Sequence, residues 1–305
     1  MSIGVGHPRT TIDLVTDHPR RQQRRIEAVA GMREMGLSGS GPEPRIDAHE
    51  QQFQPRTNQI GHGRVSERFE LGARETHRPD GTPNGQYGGM GHPHWPLFDL
   101  EVATPRLTLR YIDDELATAL VDLAASGIHA PDFMPFAMGW TDVDPDELGP
   151  ACFRYWWRCR TDTSTDSWEI NLAVIENGRV VGATGLIGRQ FPVTRWFETG
   201  SWLGLEHQGR GLGTELRIAT LHLGFLGFDA VGATTGAFAD NGPSLGVTHK
   251  LGYEPNGIIR NVRRGESADT HQFVMTRRHF GEHVQRDDIT ISGDEGARRL
   301  LDISR

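Results

Sequence analysis

The 305-residue chain has little of four things. It has two cysteines, Cys152 and Cys159, whose seven-residue spacing in a helical pattern puts them about 10 Å apart, beyond the ~7 Å a disulfide can span. Both are therefore expected as free thiols, in a cytoplasmic chain. Lys250 is the one lysine among 32 basic residues, a bias expected of a GC-rich bacterial genome rather than of chemistry. No apolar run approaches the roughly 20 residues that cross a bilayer, and no charged-then-apolar leader is read at the front, so no membrane partner is expected. Hydrophobic content is also low, at 36% with a mean hydropathy of −0.49.

That deficit is uneven. From Met1 to about Pro96 there is no sustained periodicity, only Gly, Pro, Gln, Arg and His with scattered apolar residues, a composition that buries too little to offset chain entropy. Residues 1–96 are expected to be a disordered extension, or the product of an over-long gene start with translation beginning at Met90. Within it, Ile26–Met35 has the pattern of a short helix, and Arg20, Arg21, Arg24 and Arg25 form a basic cluster that nearby acids cancel. The net charge of −8 argues against a nucleic-acid partner. The folded domain is expected over 97–281, with 282–305 as a tail.

The most informative stretch is Trp202-Leu203-Gly204-Leu205-Glu206-His207-Gln208-Gly209-Arg210-Gly211-Leu212-Gly213-Thr214. A short apolar strand runs into a glycine-dense loop that opens a helix. Glycines let consecutive backbone N–H groups converge without Cβ obstruction, and the helix end adds its positive dipole, so the loop suits a pyrophosphate. No Gly-Lys-Ser/Thr follows, which excludes a P-loop. The glycines do not fit G-x-G-x-x-G either, because Thr214 stands where the third is required.

The register Gln208-x-x-Gly211-x-Gly213 resembles the Q/R-x-x-G-x-G/A signature of the GNAT superfamily of acyl-coenzyme A N-acyltransferases. Downstream, Asp240-Asn241-Gly242-Pro243-Ser244 through Lys250-Leu251-Gly252-Tyr253 is similar to that family's E-N-x-x-S…K-L-G-F helix. Thr104-Pro105-Arg106-Leu107-Thr108-Leu109-Arg110 resembles the first strand of its ribosomal-protein N-acetyltransferase (Rim-type) branch. The resemblance spans roughly 100–280. It implies an α+β fold with a mixed, mostly antiparallel sheet flanked by helices, in the order β-α-α-β-β-β-α-β-α-β-β.

Local signals agree with that order. Asp113 or Asp114 caps a helix carrying Leu116, Leu120 and Leu123, and Asp144-Pro145-Asp146-Glu147 opens another. Asn177-Gly178 between Leu172–Ile175 and Val180–Gly182 marks a tight hairpin. Late strands are expected near 257–263 and 271–276.

The resemblance further implies acetyl-CoA as co-substrate and direct transfer to a primary amine, either a peptide N-terminus or a small molecule. Leu203, Leu205, Gln208, Gly209, Arg210, Gly211, Leu212, Gly213, Asn241 and Ser244 would hold coenzyme A, the two leucines through backbone groups alone. Glu198 would be the base, and Ser244 or, less directly, Tyr253 the proton donor to sulfur. Each has a plainer reading: a strand-end acid for Glu198, a helix cap for Asn241, a helix-start hydroxyl for Ser244. Phe136, Trp140, Trp156 and Trp157 are candidates for the acceptor wall or for ordinary core. His207, His222 and His249 have no second ligand at metal spacing, and no metal is expected. A monomer or homodimer is expected, and the rival function is an inactive CoA-binding sensor.

Overall fold

The computed structural model describes residues 91–304. The expected helix at 26–35 and the arginine cluster lie outside them, as does all but the last six residues of the expected extension.

Thr104 to Arg110 is not one strand. Pro105 has no N–H to give a ladder, and the chain turns there: Glu101–Ala103 (β1) and Leu107–Tyr111 (β2) pair antiparallel, and the Thr104 N–H donates to the Leu107 carbonyl at 2.8 Å. Asp114–Ser126 (α1) follows, with Asp113 at its N-cap accepting from the Leu116 N–H at 2.8 Å. Pro145–Thr161 (α2) begins on Pro145 as its sequence indicates.

Trp168–Glu176 (β3) and Arg179–Gly188 (β4) flank Asn177 and Gly178, whose φ of 50° and 76° make the expected hairpin turn. After a short turn of helix, Phe191–Thr194 (α3), come Trp196–Leu203 (β5), Leu212–His222 (α4) with a π-helical turn at Leu223–Gly227, and Gly232–Phe238 (β6). Gly242–Lys250 (α5), Glu254–Arg263 (β7), Glu266–Thr276 (β8) and Arg277–His283 (α6) complete the expected order.

The segment after 281, expected as a tail, instead supplies a strand, Thr290–Ser292 (β9), and a helix, Asp294–Leu300 (α7). β9 pairs with β1, and Ala297 and Leu301 are fully buried. At the other end, Leu97 is also fully buried and Trp95 packs against the same core. A three-residue strand whose partner lies about 190 residues earlier leaves no local periodicity to read.

The nine strands of the described residues form one sheet in the order β7-β8-β6-β5-β4-β3-β2-β1-β9. Neighbouring strands run antiparallel except β5 and β6, which are parallel. One face carries α4: its Thr220 meets Thr184 of β4 at 3.0 Å, and Phe197 of β5 stacks edge-on to Phe225 just beyond it. The other face carries α1 and α2, where Leu120, Cys152 and Trp156 pack with Ala173 and Ala183.

Candidate active site

The parallel pair β5–β6 is registered at three positions only: Trp196 with Gly232, Phe197 with Ala233, and Glu198 with Thr234. Beyond Glu198 the backbone ladder stops, although the Thr235 hydroxyl still donates to the Thr199 carbonyl at 3.2 Å, and the region between the ends of β5 and β6 beyond that contact is the candidate cleft. Alternation along β5 sends Phe197, Thr199, Ser201 and Leu203 toward α4 and Glu198, Gly200 and Trp202 to the opposite face. Glu198 is exposed at the apex of the cleft.

The loop between β5 and α4 leaves backbone donors unclaimed. Gly209 and Gly211 have φ of 71° and 79°, a region side chains disfavour, and a Cβ at Gly209 would meet open space. The N–H groups of Gly209, Arg210 and Gly211 are taken by no hydrogen bond among the described residues, and they stand ahead of the N-terminus of the 11-residue α4. Unclaimed donors beside a helix dipole suit the pyrophosphate of coenzyme A. Arg106 braces this loop: its Nη1 donates to the Arg210 carbonyl at 3.2 Å while its Nε donates to Glu215 of α4 at 2.6 Å. Burial alone would raise the Glu215 carboxyl, but hydrogen bonds from Thr104 and Arg106 outweigh it and hold the group below the ordinary glutamate value. Arg210 points elsewhere, forming a bidentate pair with Glu176 at 3.0 Å.

Other residues named for the coenzyme divide. The Gln208 amide donates to the carbonyls of Leu203 and Ile128 at 2.9 and 2.7 Å, tying the end of β5 to the loop after α1. Leu205 spends its N–H on Gly127. Gly213 faces Val247 of α5 and Leu203, where an added Cβ would make ordinary contacts at 3.7 and 3.9 Å. Asn241 caps α5, its Oδ1 accepting from the Ser244 N–H at 3.2 Å. Ser244 is half-buried at the head of α5. Tyr253 is 5% exposed within the core cluster, and its hydroxyl has no partner among the described residues.

On the Glu198 face an aromatic row leads away from the cleft. Phe136 lies 5.2 Å from Trp140, and Trp140 5.8 Å from Trp202, between ring centroids. Trp202 has the parity of Glu198 on β5, which the sequence contained and the choice of wall residues passed over. Trp156 is a core residue under α1 and α2, while Trp157 is exposed and donates to Asp114 at 3.2 Å. The loop bearing Phe136 and Trp140 is pinned by the turn between β7 and β8: Arg264 pairs with Asp142 at 2.7 Å, and Arg263 reaches the Met134 carbonyl while pairing with Asp240 at 2.7 Å.

Cys152 and Cys159 are free and buried on α2, Cys152 in the core cluster against which Trp140 and Trp202 pack. Among the described residues there is no cluster of three His, Cys, Asp or Glu side chains placed to hold a metal ion, and no helix long and apolar enough to cross a membrane.

Residues 106–254 match the family model described as an acetyltransferase (GNAT) domain. This part of the chain is a GNAT acetyltransferase domain. Among solved structures, the chain is similar to RimJ of Mycobacterium smegmatis in complex with CoA-disulfide, at 18% identity, over 63% of this chain and 93% of that one, with a TM-score of 0.53. It is also similar to a GCN5-related N-acetyltransferase from Brucella melitensis (19%; 59% and 80%; TM-score 0.48). A third likeness is to a spermidine N-acetyltransferase chimera from Vibrio cholerae and hSSAT (15%; 58% and 99%; 0.48).

Proposed function

We propose that this domain transfers the acetyl group of acetyl-CoA directly to a primary amine, on a peptide N-terminus or a small molecule. The observation that carries the reading is the end of the β5–β6 ladder at Glu198, because it opens a cleft between an anion-binding loop and an exposed carboxylate.

The N–H groups of Gly209 to Gly213 hold the pyrophosphate, and the pantetheine arm lies along the segment of β5 beyond that ladder, beside α5. Glu198 takes the proton of the attacking amine. An α-amino group near pKa 8 is already partly neutral at pH 7, whereas a lysine near 10.4 costs roughly 4.6 kcal/mol to deprotonate, so the base matters most for strongly basic acceptors. Ser244, at the head of α5, returns a proton to the leaving sulfur, and Phe136, Trp140 and Trp202 flank the acceptor. Both cysteines are buried thiols held well above the ordinary thiol value, poor nucleophiles for an acyl-enzyme, which favours direct transfer.

Two measurements test this. Saturating acetyl-CoA is expected to raise the melting temperature by mass action. A panel of amines, including peptides with free N-termini, aminoglycosides and polyamines, scored by released thiol, is expected to give turnover. A melting shift with no thiol release from any amine would favour the CoA-binding sensor, and no melting shift would sink both readings.

A further inference from the structure

The end of the β5–β6 pair holds a buried charge with no carboxylate paired to it among the described residues. Arg217 of α4 is 4% exposed. Its Nη1 donates to Thr235 Oγ1 at 3.0 Å and its Nη2 to Ser201 Oγ at 3.4 Å, while Nε has no partner among the described residues. Ser201 and Thr235 stand on the two strands past the last backbone-paired position, and Thr235 Oγ1 also donates to the Thr199 carbonyl at 3.2 Å, so the guanidinium sits where the strands are joined by side chains and no longer by a ladder. Arg106, Arg210, Arg263 and Arg264, all more exposed, each have a carboxylate. Arg217 has two neutral hydroxyls instead; Arg298, the other buried arginine among the described residues, gives its Nη1 to the Gly227 carbonyl at 2.7 Å, away from β5 and β6.

An arginine keeps its charge at any pH a protein meets, and burying that charge unpaired is unfavourable. A fold that needed only a brace across the cleft has cheaper options in neutral side chains. A preorganised, unneutralised cation in a site shielded from water is most effective where negative charge appears only in the transition state.

We propose that Arg217 is a catalytic residue whose guanidinium receives the charge that develops on the thioester carbonyl oxygen. The inference rests on the acetyl-transfer reading above. The amine nitrogen bonds to the carbonyl carbon from the Glu198 side, and the carbonyl π pair moves onto oxygen beside Arg217. As that pair returns, the C–S bond breaks; the amine nitrogen loses one proton and the leaving thiolate gains one. Arg217 changes neither covalent structure nor protonation.

The test uses the full chain with acetyl-CoA and hydroxylamine, a small amine already neutral at pH 7, so neither the natural acceptor nor Glu198 limits the assay. Arg217→Met is expected to lower kcat about a hundred- to a thousandfold and to leave the Kd of CoA, which has no carbonyl, within threefold. Arg217→Lys is expected to recover part of the loss. Should the methionine variant fail to fold, Arg217→Gln keeps polar contact with Ser201 and Thr235 without the charge, and it carries the same expectation.

Unchanged kcat in the variants would overturn the proposal. So would a parallel loss of CoA affinity that lysine does not restore, which marks a structural brace. A wild-type protein that binds CoA yet fails to speed hydroxylamine acetylation would also overturn it. A preference of tenfold or more for succinyl-CoA over acetyl-CoA, lost in Arg217→Met, would reassign the guanidinium to a donor carboxylate. A flat melting curve with CoA is the separate failure of the acetyl-transfer reading itself.

Discussion

Arg106 Nε lies 2.6 Å from Glu215 Oε2, joining the start of β2 to the first turn of α4. The same guanidinium holds the Arg210 carbonyl, so one side chain connects the sheet, the helix and the loop between them. Glu215 is 7% exposed, and removing its partner leaves a buried carboxylate under-satisfied at a cost of about 1–3 kcal/mol. Arg106→Gln is expected to lower the melting temperature by several degrees and to weaken CoA more than pantetheine, which lacks the pyrophosphate. Equal losses for both ligands, measured by calorimetry, would mean that the brace does not act through the phosphate loop. Because the Glu215 carboxyl is held low, its contribution is present above about pH 4.5 and is lost as pH falls through the folded value.

Gly211 supplies both a positive φ and an unobstructed N–H. Gly211→Asp puts a Cβ on a left-handed backbone and a carboxylate where the pyrophosphate lies. Acetyl-CoA is then expected to give no melting shift, checked against a ligand-free melting curve near that of the wild type.

For Glu198→Gln the expected loss in turnover is about a hundred- to ten-thousandfold, with acetyl-CoA affinity intact. The defect shrinks as pH rises, because the acceptor then loses its own proton. Full activity at neutral pH on a good acceptor would assign the base elsewhere or to water.

Burial pushes the Cys152 thiol up to about 11 and Cys159 up to about 12, from 9.0. Iodoacetamide at pH 8 is expected to label neither thiol in the folded protein and both in urea. A thiol whose folded value is raised stabilises the fold fully below its unfolded value. That contribution disappears as pH rises from about 9 to about 12, so a double Cys→Ala variant should lose less stability across this range than the wild type.

The last segment gives a fifth expectation. Ending the chain at Ile289 removes β9 and α7, uncovering Leu97 and Val102 and leaving β1 as a bare edge. Lower solubility and a clearly lower melting temperature are expected. An unchanged melting curve would show that the segment adds nothing to the domain.

The order of the central elements was legible because each has a local cause: Asp113 as a cap, Pro145 in a first turn, Asn177-Gly178 in a hairpin, Gly209 and Gly211 in a loop. The candidate site was legible where it is made of backbone, since glycine spacing by itself arranges N–H groups. Side chains that act through distant partners were not. Nothing near Arg106 in sequence marks Glu215, and nothing near Arg263 marks Asp240 or the Met134 carbonyl. Gln208 shows the same limit: its motif placed it at the coenzyme, while the tertiary contacts show its amide tying the end of β5 to the loop after α1; the Asn241 cap, by contrast, was among the readings the sequence offered.

The sequence by itself determined the central strands and helices and the glycine-rich turn between β5 and α4, because short-range sterics and hydrogen bonding act within a few residues. Tertiary structure alone decided that the β5–β6 ladder stops after Glu198, that Arg217 joins the two strands beyond it without a carboxylate, and that 290–300 close the far edge of the sheet. Those outcomes depend on which surfaces meet across more than a dozen residues of chain, and no local pattern carries that information.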